Sequence, residues 1–310
     1  MKIAALLSSS LVLLGACSHA QVPALAPGEA ASSRESPWQQ VASFTEPKLA
    51  EISGLASSPI SKDLLWAHND SGGEPEIHAL DLNGTFLGSV TLLDVKNKDW
   101  EDLCGFRLGN KPYLLIADTG DNKRKRLSVP CHVIAEPSPN DKKTKVAWTQ
   151  TIRYQDGPQD CESVAVYEDQ IFLLNKDSGT SVIYQAPLGS PNKSAVTVVA
   201  KKLVVLPQVN NAASSLTAVF KAGFLGSKAT ALDISADGQW AAVLTYTDVR
   251  LFKRKGKEPW KAAFVRKPQV IALPKIYQPE ALCFSADSQS LYVSSEESPT
   301  PIVRFNLKTD

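Results

Sequence analysis

The sequence predicts an all-β fold, a five-bladed β-propeller of four-stranded antiparallel blades. One short pattern recurs five times: Ser, Glu or Thr, then a small or acidic residue, then an aliphatic one, at 53–55, 101–103, 162–164, 230–232 and 280–282. Strand patterns rather than helical ones fill the intervals, and clusters of Asn, Asp, Gly and Pro separate the strands. Self-similarity at a few tens of residues is typical of a ring of β-sheets.

Each of the first four repeats is predicted to supply four strands. The first repeat contributes 54–57, 64–67, 76–80 and 85–92, and the second contributes 103–107, 113–117, 131–135 and 147–154. The third contributes 164–167, 171–174, 182–186 and 196–206, and the fourth contributes 232–235, 240–245, 249–253 and 262–273. An insert at 209–228 follows the third repeat, and we expect it to form a loop or a short helix.

The fifth repeat has only three predicted strands, 281–284, 291–294 and 302–307. Strand 38–44, ahead of the first repeat, can supply the missing outer strand. Strands from both ends of the chain would then close the ring and remove an exposed sheet edge. Six blades are the alternative, if the insert at 209–228 contains further strands.

The N-terminus has the features of a bacterial lipoprotein signal. Lys2 and an apolar run at 3–14 precede Leu-Gly-Ala-Cys at 14–17. We therefore predict a lipoprotein signal peptide at 1–16 and lipid attachment at Cys17, with a plain secretory signal as the alternative. The apolar run is shorter than the ~20 residues of a membrane-spanning helix, so only the lipid is expected to contact a membrane.

Residues 17–37, rich in Ala, Pro, Ser and Glu, suit a flexible tether to a propeller domain at 38–310. Ser18 stands where Asp would indicate inner-membrane retention in enteric-type sorting, so resemblance to such signals favours the outer membrane. The predicted location is the periplasm.

The formal net charge of +1 gives no global field that would attract nucleic acid. The basic runs at 123–126 and 253–257 are predicted to be solvated loops. Beyond the lipid, the expected partner is an unidentified small molecule, glycan or protein, and we expect a monomer.

Four cysteines remain without Cys17, in a compartment that permits disulfides. Cys104 and Cys283 are expected to be buried free thiols on inner strands. The pairing cannot be read from sequence, although any bridge would more plausibly join Cys131 and Cys161.

The first residues of the five segments are predicted to converge on the channel axis, because the innermost strand of every blade lines it. They are Ser53, Glu101, Glu162, Thr230 and Glu280. Three carboxylates about 5 Å apart would repel one another by roughly 10 kcal/mol in total at a dielectric near 20. Protonation, a basic side chain or a bound cation must neutralise them. An all-oxygen set without His or Cys favours Ca²⁺, with hydrogen bonding between blades as the alternative role.

Polar residues also end the second strand of each repeat. Because neighbouring strands are antiparallel, these ends lie on the same face as the starts of the inner strands. The mouth of the channel is therefore predicted to carry Asp70, Asp118, Lys176, Tyr246 and Glu296. Tight turns alone would explain the Asn, Asp and Gly residues here, but no turn requires Lys176 or Glu296.

Several motifs resemble a group of uncharacterised bacterial secreted propellers: Ile-Ser-Gly-Leu at 52–55, His-Asn-Asp-Ser-Gly at 68–72, Asp-Trp-Glu-Asp-Leu at 99–103, Gly-Asp-Asn at 120–122 and Tyr-Val-Ser-Ser-Glu at 292–296. More distantly, the axial order is similar to that of the calcium-activated nucleotidases, five-bladed apyrases that hold a central Ca²⁺. That resemblance implies Ca²⁺ ligation by Ser53, Glu101, Glu162 and Glu280, while Thr230 stands where that family has Ser. Its phosphate-binding loops have no match here.

Two functions follow as hypotheses. The favoured one is a ligand-binding or scaffold lipoprotein with Ca²⁺ in the channel. The alternative is a Ca²⁺-dependent hydrolase of phosphate esters or anhydrides, with Glu296 or Asp70 as the base and Lys176 stabilising negative charge. Neither a nucleophile elbow nor a histidine triad pattern is present in the sequence.

Overall fold

The computed structural model describes residues 36–176, 180–191, 197–206 and 228–307. The predicted signal peptide, Cys17, all of the tether except residues 36 and 37, and all of the 209–228 insert except Lys228 lie outside these residues. Within the described part of the chain, no helix combines the length and the apolar character needed to cross a membrane.

The predicted all-β fold is confirmed: the described residues form strands with almost no helix. After β1 (Trp38–Phe44) and a 3-10 turn (Pro47–Leu49), the first repeat forms β2 (Ile52–Ser57), β3 (Leu64–Asn69), β4 (Glu76–Asp81) and β5 (Phe86–Leu93). The second forms β6 (Asp102–Leu108), β7 (Lys111–Ala117), β8 (Val129–Ala135) and β9 (Lys143–Tyr154). The third forms β10 (Cys161–Tyr167), β11 (Gln170–Asn175), β12 (Val182–Pro187) and β13 (Thr197–Val205).

The fourth repeat forms β14 (Ala229–Ile234), β15 (Trp240–Thr245), β16 (Asp248–Lys253), a short helix α1 (Trp260–Phe264) and β17 (Gln269–Ala272). The fifth forms β18 (Pro279–Phe284), β19 (Ser290–Ser295) and β20 (Thr300–Asn306). Consecutive strands within each repeat pair antiparallel, as predicted.

The first strand of each repeat is mostly buried. In β2 and β18 nearly every residue is buried, whereas the outer strand β9 alternates between exposed and buried positions. Each first strand packs against the first strand of the next repeat: β2 on β6, β6 on β10, β10 on β14 and β14 on β18. β18 in turn packs against β2. The starts of these five strands are thereby gathered at one end of the molecule.

Apolar side chains fill the space between neighbouring repeats. Trp66 and Ile77 of the first repeat, for example, belong to one buried cluster with Leu103, Leu114 and Ile134 of the second. Such facing sheets remove apolar surface from water at about 25 cal/mol per Å², which is the main stabilising contribution to this fold.

The outer edges differ from the predicted set of separate four-stranded blades. β9 is twelve residues long and pairs in parallel with two neighbours. Its first residues lie beside β5, with Thr91 opposite Lys143, and its last residues lie beside β13, with Thr197 opposite Thr151. The first three repeats therefore share one twelve-stranded sheet. A long strand reaches both neighbours and covers edges that would otherwise be open.

β1 pairs antiparallel with β20, with Trp38 opposite Phe305 and Phe44 opposite Thr300. The resulting sheet has the order β1-β20-β19-β18, so strand 38–44 supplies the outer strand of the fifth repeat. Trp38 also donates a hydrogen bond from Nε1 to the carbonyl of Ala272 in the fourth repeat, at 2.8 Å.

The predicted strand 262–273 is wrong in its first residues. Residues Trp260–Phe264 form α1, and only Gln269–Ala272 are a strand. Trp260, Ala263 and Phe264 are buried, a spacing of three and four residues that suits one face of a helix. Pro259 directly before the helix is compatible with its start, where no amide hydrogen bond is needed.

All four cysteines in the described residues are buried and unpaired. The free-thiol prediction for Cys104 and Cys283 agrees with this, and Cys131 and Cys161 do not form the bridge that the sequence favoured. Burial raises the pKa of each of these thiols, which keeps them protonated and unreactive near neutral pH.

Candidate functional site

The five predicted axial residues are all buried at the starts of the inner strands. Ser53, Glu162, Thr230 and Glu280 lie within the first two residues of β2, β10, β14 and β18, and Glu101 directly precedes β6. The strand pairing shifts register at four of these positions, Ser53, Glu162, Thr230 and Glu280, and the shift turns their side chains away from the regular pleat. Glu101 lies just before its strand and is therefore not part of the pleat.

The two hydroxyls link neighbouring repeats. Ser53 Oγ donates to the carbonyl of Glu101 at 2.6 Å, and Thr230 Oγ1 donates to the carbonyl of Pro279 at 2.9 Å. Thr119 makes an equivalent bond to the carbonyl of Cys161 at 2.8 Å. Hydrogen bonding between repeats thus gives Ser53 and Thr230 a role besides the predicted metal ligation.

Thr230→Val is expected to lower the free energy of unfolding by about 1–2 kcal/mol, because the buried carbonyl of Pro279 loses its donor while the side-chain shape is kept. Urea unfolding followed by fluorescence measures this. Thr197→Val is the matched control, since Thr197 is exposed at the start of β13. Equal stability of both variants would contradict a structural role for the Thr230 hydroxyl.

Glu101 and Glu162 form a coupled carboxyl pair. Their side chains hydrogen-bond to each other, and Lys176 Nζ lies 2.8 Å from Glu162 Oε2. Burial, and then the charge of Glu162, hold the pKa of Glu101 well above its usual range. Burial also raises the pKa of Glu162, although Lys176 opposes this. Without a further cation, Glu101 is the member that keeps a proton.

Lys176 also approaches the fourth and fifth repeats. Its ammonium lies 5.8 Å from the ring centre of Tyr246, whose hydroxyl donates to Glu280 Oε1 at 2.7 Å. Burial acts to lower the pKa of Lys176, but the charges of Glu162 and Glu280 outweigh it and raise this pKa. The lysine therefore stays charged, forms an ion pair with Glu162, and interacts electrostatically with Glu280 on another inner strand.

Glu296 lies at the same mouth. Gln278 Nε2 donates to Glu296 Oε2 at 2.6 Å. Burial, followed by the negative charges of Glu280 and Asp70, raises the pKa of Glu296 to about 7. The structure thus places Glu296 within electrostatic range of Asp70, Glu280 and Lys176.

In metal-free protein, the contribution of Glu296 to stability is expected to fall between pH 5 and pH 8. A carboxyl whose folded-state pKa is raised is most favourable to folding below its unfolded value near 4.5, and this contribution is lost as pH rises through about 7 for Glu296. Glu296→Gln removes a titrating group and is expected to reduce the slope by up to about one proton. Urea unfolding in EDTA at several pH values measures the slopes, and identical slopes would contradict the raised pKa.

Asp118 is paired rather than free. Arg126 Nη2 lies 2.8 Å from Asp118 Oδ1, and both side chains are largely buried. Arg126 also donates from Nη1 to the carbonyl of Gly120 at 2.8 Å. The predicted solvated loop at 123–126 is therefore wrong for Arg126, because the adjacent acids draw its guanidinium inward, while residues 123–125 are exposed.

A group that sequence reasoning missed lies beside Glu101. One carboxylate oxygen each from Asp70, Asp99 and Glu101 lie within 4.8 Å of one another. Burial and the charge of Asp70 raise the pKa of Asp99, which indicates that these acids repel one another. Asp99 belongs to the 99–103 motif, but its position before the strand start gave no sign that it would face Asp70.

Gly120 makes room for these carboxylates. A Cβ atom at this position would lie 2.0 Å from Glu101 Oε1 and 2.6 Å from Asp99 Oδ2. The Gly120 amide donates to the carbonyl of Asp99 at 3.2 Å, and Asn97 Nδ2 donates to the carbonyl of Asp70 at 2.9 Å. Three loops from two repeats thus hold the oxygens in a cradle that a side chain at residue 120 would fill.

The donor set fits a hard cation. Ca²⁺ binds oxygen ligands at about 2.3–2.6 Å, so two oxygens on one ion lie at most about 5 Å apart. The group formed by Asp70, Asp99 and Glu101 meets this condition. Of the five residues in the predicted axial set, Glu101 is the one that also belongs to this group. The other two axial glutamates have protein partners, because Glu162 is paired with Lys176 and Glu280 accepts a hydrogen bond from Tyr246.

No protein-family model matches the sequence, and no curated protein matches it. Among solved structures, the chain is similar to the β-propeller domain of Cps50 (Swd1) from Myceliophteria thermophila. The TM-score is 0.41 at 11% identity, and the match covers 83% of this chain and 84% of that chain. A TM-score of this size does not establish a shared fold, so the propeller arrangement rests on the strand contacts described above.

Proposed function

We propose that this protein is a calcium-binding β-propeller that acts as a ligand-binding or scaffold lipoprotein. The group of Asp70, Asp99 and Glu101 carries the proposal, because three oxygens converge in a cradle that Gly120 keeps open. Anchoring through lipid on Cys17, at the periplasmic side of the outer membrane, is proposed from the sequence motif alone.

Five blades are proposed for the ring. The cycle of contacts among β2, β6, β10, β14 and β18 supports this number. β10 packs directly against β14 although the insert lies between them in the chain, which leaves no gap for a sixth inner strand there. The pairing of β1 with β20 supports closure of the ring by strands from both ends of the chain.

The proposed cation would be held by Asp70, Asp99 and Glu101. It would offset the repulsion among these acids, which adds to burial in raising the pKa values of Asp99 and Glu101. Because Ca²⁺ accepts six to eight oxygens, three carboxylates leave coordination positions for water or for oxygens of a ligand at the mouth. Around this point, Lys176 and Tyr246 offer a charge and a hydroxyl for recognition.

Calcium titration by isothermal calorimetry tests this proposal. Asp99→Asn is expected to weaken Ca²⁺ binding by at least about tenfold, or 1.4 kcal/mol, because it removes one charged ligand. Asp63→Asn is the matched control, with the same charge change at an exposed turn residue. Protons should be released on binding, since the raised carboxyl pKa values must fall when the acids coordinate a cation. Absence of Ca²⁺ binding by the wild-type protein would refute the proposal.

A hydrolase is the second candidate, and one observation favours it. The pKa of Glu296, about 7, suits a general base at neutral pH. Lys176, charged and near Glu280, could stabilise negative charge on a phosphoryl group. Turnover of p-nitrophenyl phosphate or ATP with Ca²⁺ present, reduced roughly 100-fold or more in Glu296→Gln, would establish this role. Tight ligand binding without any turnover would favour the binding role instead.

A further inference from the structure

A cavity lies at the ends of the inner strands opposite to the acidic group of Asp70, Asp99 and Glu101. It has a volume of about 360 Å³ and is lined by the last residues of all five first strands, including Ser57, Arg107, Val166, Asp233 and Phe284. The acidic group described above lies at the starts of the same strands, so the two sites occupy different mouths of the channel. Cavities of roughly 300–1,000 Å³ accommodate small organic ligands.

Two acids line this cavity, Glu168, which is exposed, and Asp233. Asp233 Oδ1 accepts from the amide of Ile234 at 2.7 Å, and its Oδ2 accepts from the amide of Phe284 at 2.8 Å. Two amides leave further lone pairs on the carboxylate oxygens. Asp102 lies nearby but does not line the cavity; it is 1% exposed and bonds the amides of Leu103 and Val164.

The cavity lacks a counter-ion for Asp233. Among the described residues, no Lys or Arg forms an ion pair with Asp233, and the one cation in the lining, Arg107, donates to the carbonyls of Pro59 and Asn110. Apolar side chains form much of the wall, including Leu55, Phe106 and Ile234. Burial raises the pKa of Asp233 to about 7, although the two amides act to lower it.

We propose that this cavity binds a small organic cation, a primary ammonium with a short apolar tail. The ammonium pairs with Asp233, and the tail lies against Leu55, Phe106 and Ile234. The negative charge of Asp233 would repel an anion, and a neutral apolar molecule would leave that charge without a counter-ion. One buried acid among apolar walls therefore selects for positive charge with apolar surface.

The test compares three probes of nearly equal size by NMR titration: n-hexylamine, 1-hexanol and hexanoate. The wild-type protein at pH 8 is expected to bind the ammonium at least about tenfold more tightly than the alcohol, with hexanoate weakest. Chemical-shift changes should map to the cavity residues, such as Val166 and Ile234. Equal affinities, strongest binding of hexanoate, or no binding at about 10 mM would each overturn the proposal.

Asp233→Asn is expected to remove the preference for hexylamine over 1-hexanol. A second measurement uses only the wild-type protein, so it does not depend on whether this variant folds. In wild-type protein, ammonium affinity should rise roughly tenfold from pH 6 to pH 8 as Asp233 ionises, while alcohol affinity stays constant. The other groups facing Asp233 are Asp102 and the thiols of Cys104 and Cys283, whose pKa values are all raised, with Arg107 and Glu168 at the rim. A pH-independent ammonium affinity would contradict the pairing.

Discussion

Gly120→Ala is expected to lower Ca²⁺ affinity by roughly 100-fold, equivalent to about 3 kcal/mol. An added Cβ would lie 2.0 Å from Glu101 Oε1 and 2.5 Å from Asp99 Cγ, far inside van der Waals contact. Glu101 cannot move freely, because it is 5% exposed and hydrogen-bonded to Glu162. The substitution therefore displaces two of the three proposed ligands without changing any charge.

Calorimetric titration with Ca²⁺ measures this effect, and Gly73→Ala is the matched control. Gly73 also lies in a loop, and an added Cβ there has nothing within 4 Å. Thermal unfolding in EDTA separates a loss of binding from a loss of folding. Unchanged Ca²⁺ affinity in a folded Gly120→Ala protein would show that the cation is bound elsewhere, for example by the other members of the predicted axial set, Ser53, Glu162, Thr230 and Glu280.

Gly54→Ala is expected to destabilise the fold by about 3 kcal/mol, the upper part of the range for overpacking a buried site. An added Cβ on β2 would lie 2.3 Å from Nε2 of His68 on β3. The imidazole is fully buried, its Nδ1 is 2.9 Å from the carbonyl of Asn69, and its ring packs edge-on against Trp100 at 5.5 Å. Burial and these two contacts hold the ring in place.

Urea unfolding measures the change, and a double-mutant cycle identifies its cause. In a His68→Ala background the ring is absent, so Gly54→Ala should then cost at least about 1 kcal/mol less than in wild-type protein. If the losses of unfolding free energy from Gly54→Ala and His68→Ala are additive, the destabilisation by Gly54→Ala comes from the backbone of β2 rather than from contact with His68.

Local sequence signals were sufficient for most of the fold. Alternating apolar residues and turn-forming clusters determine β1 to β8 within a few residues, because both signals act over a single strand and its turn. The strand prediction was wrong at Trp260–Phe264 because a short apolar run is compatible with either a strand or a helix. The packing of the buried side chains in the tertiary structure makes this segment a helix. The parallel pairing of β9 with β5 and β13 likewise joins strands far apart in the chain.

The sequence by itself determined the repeats, the strand order and the gathering of Glu101, Glu162 and Glu280 at one buried end, because each follows from position within a repeated unit. Only the tertiary structure decided how those acids are partnered: Lys176 with Glu162, Tyr246 with Glu280, and Asp70 and Asp99 with Glu101. Side chains in loops of different repeats approach according to loop conformation, which depends on contacts such as those at Gly120 and Asn97 and has no local periodic signal.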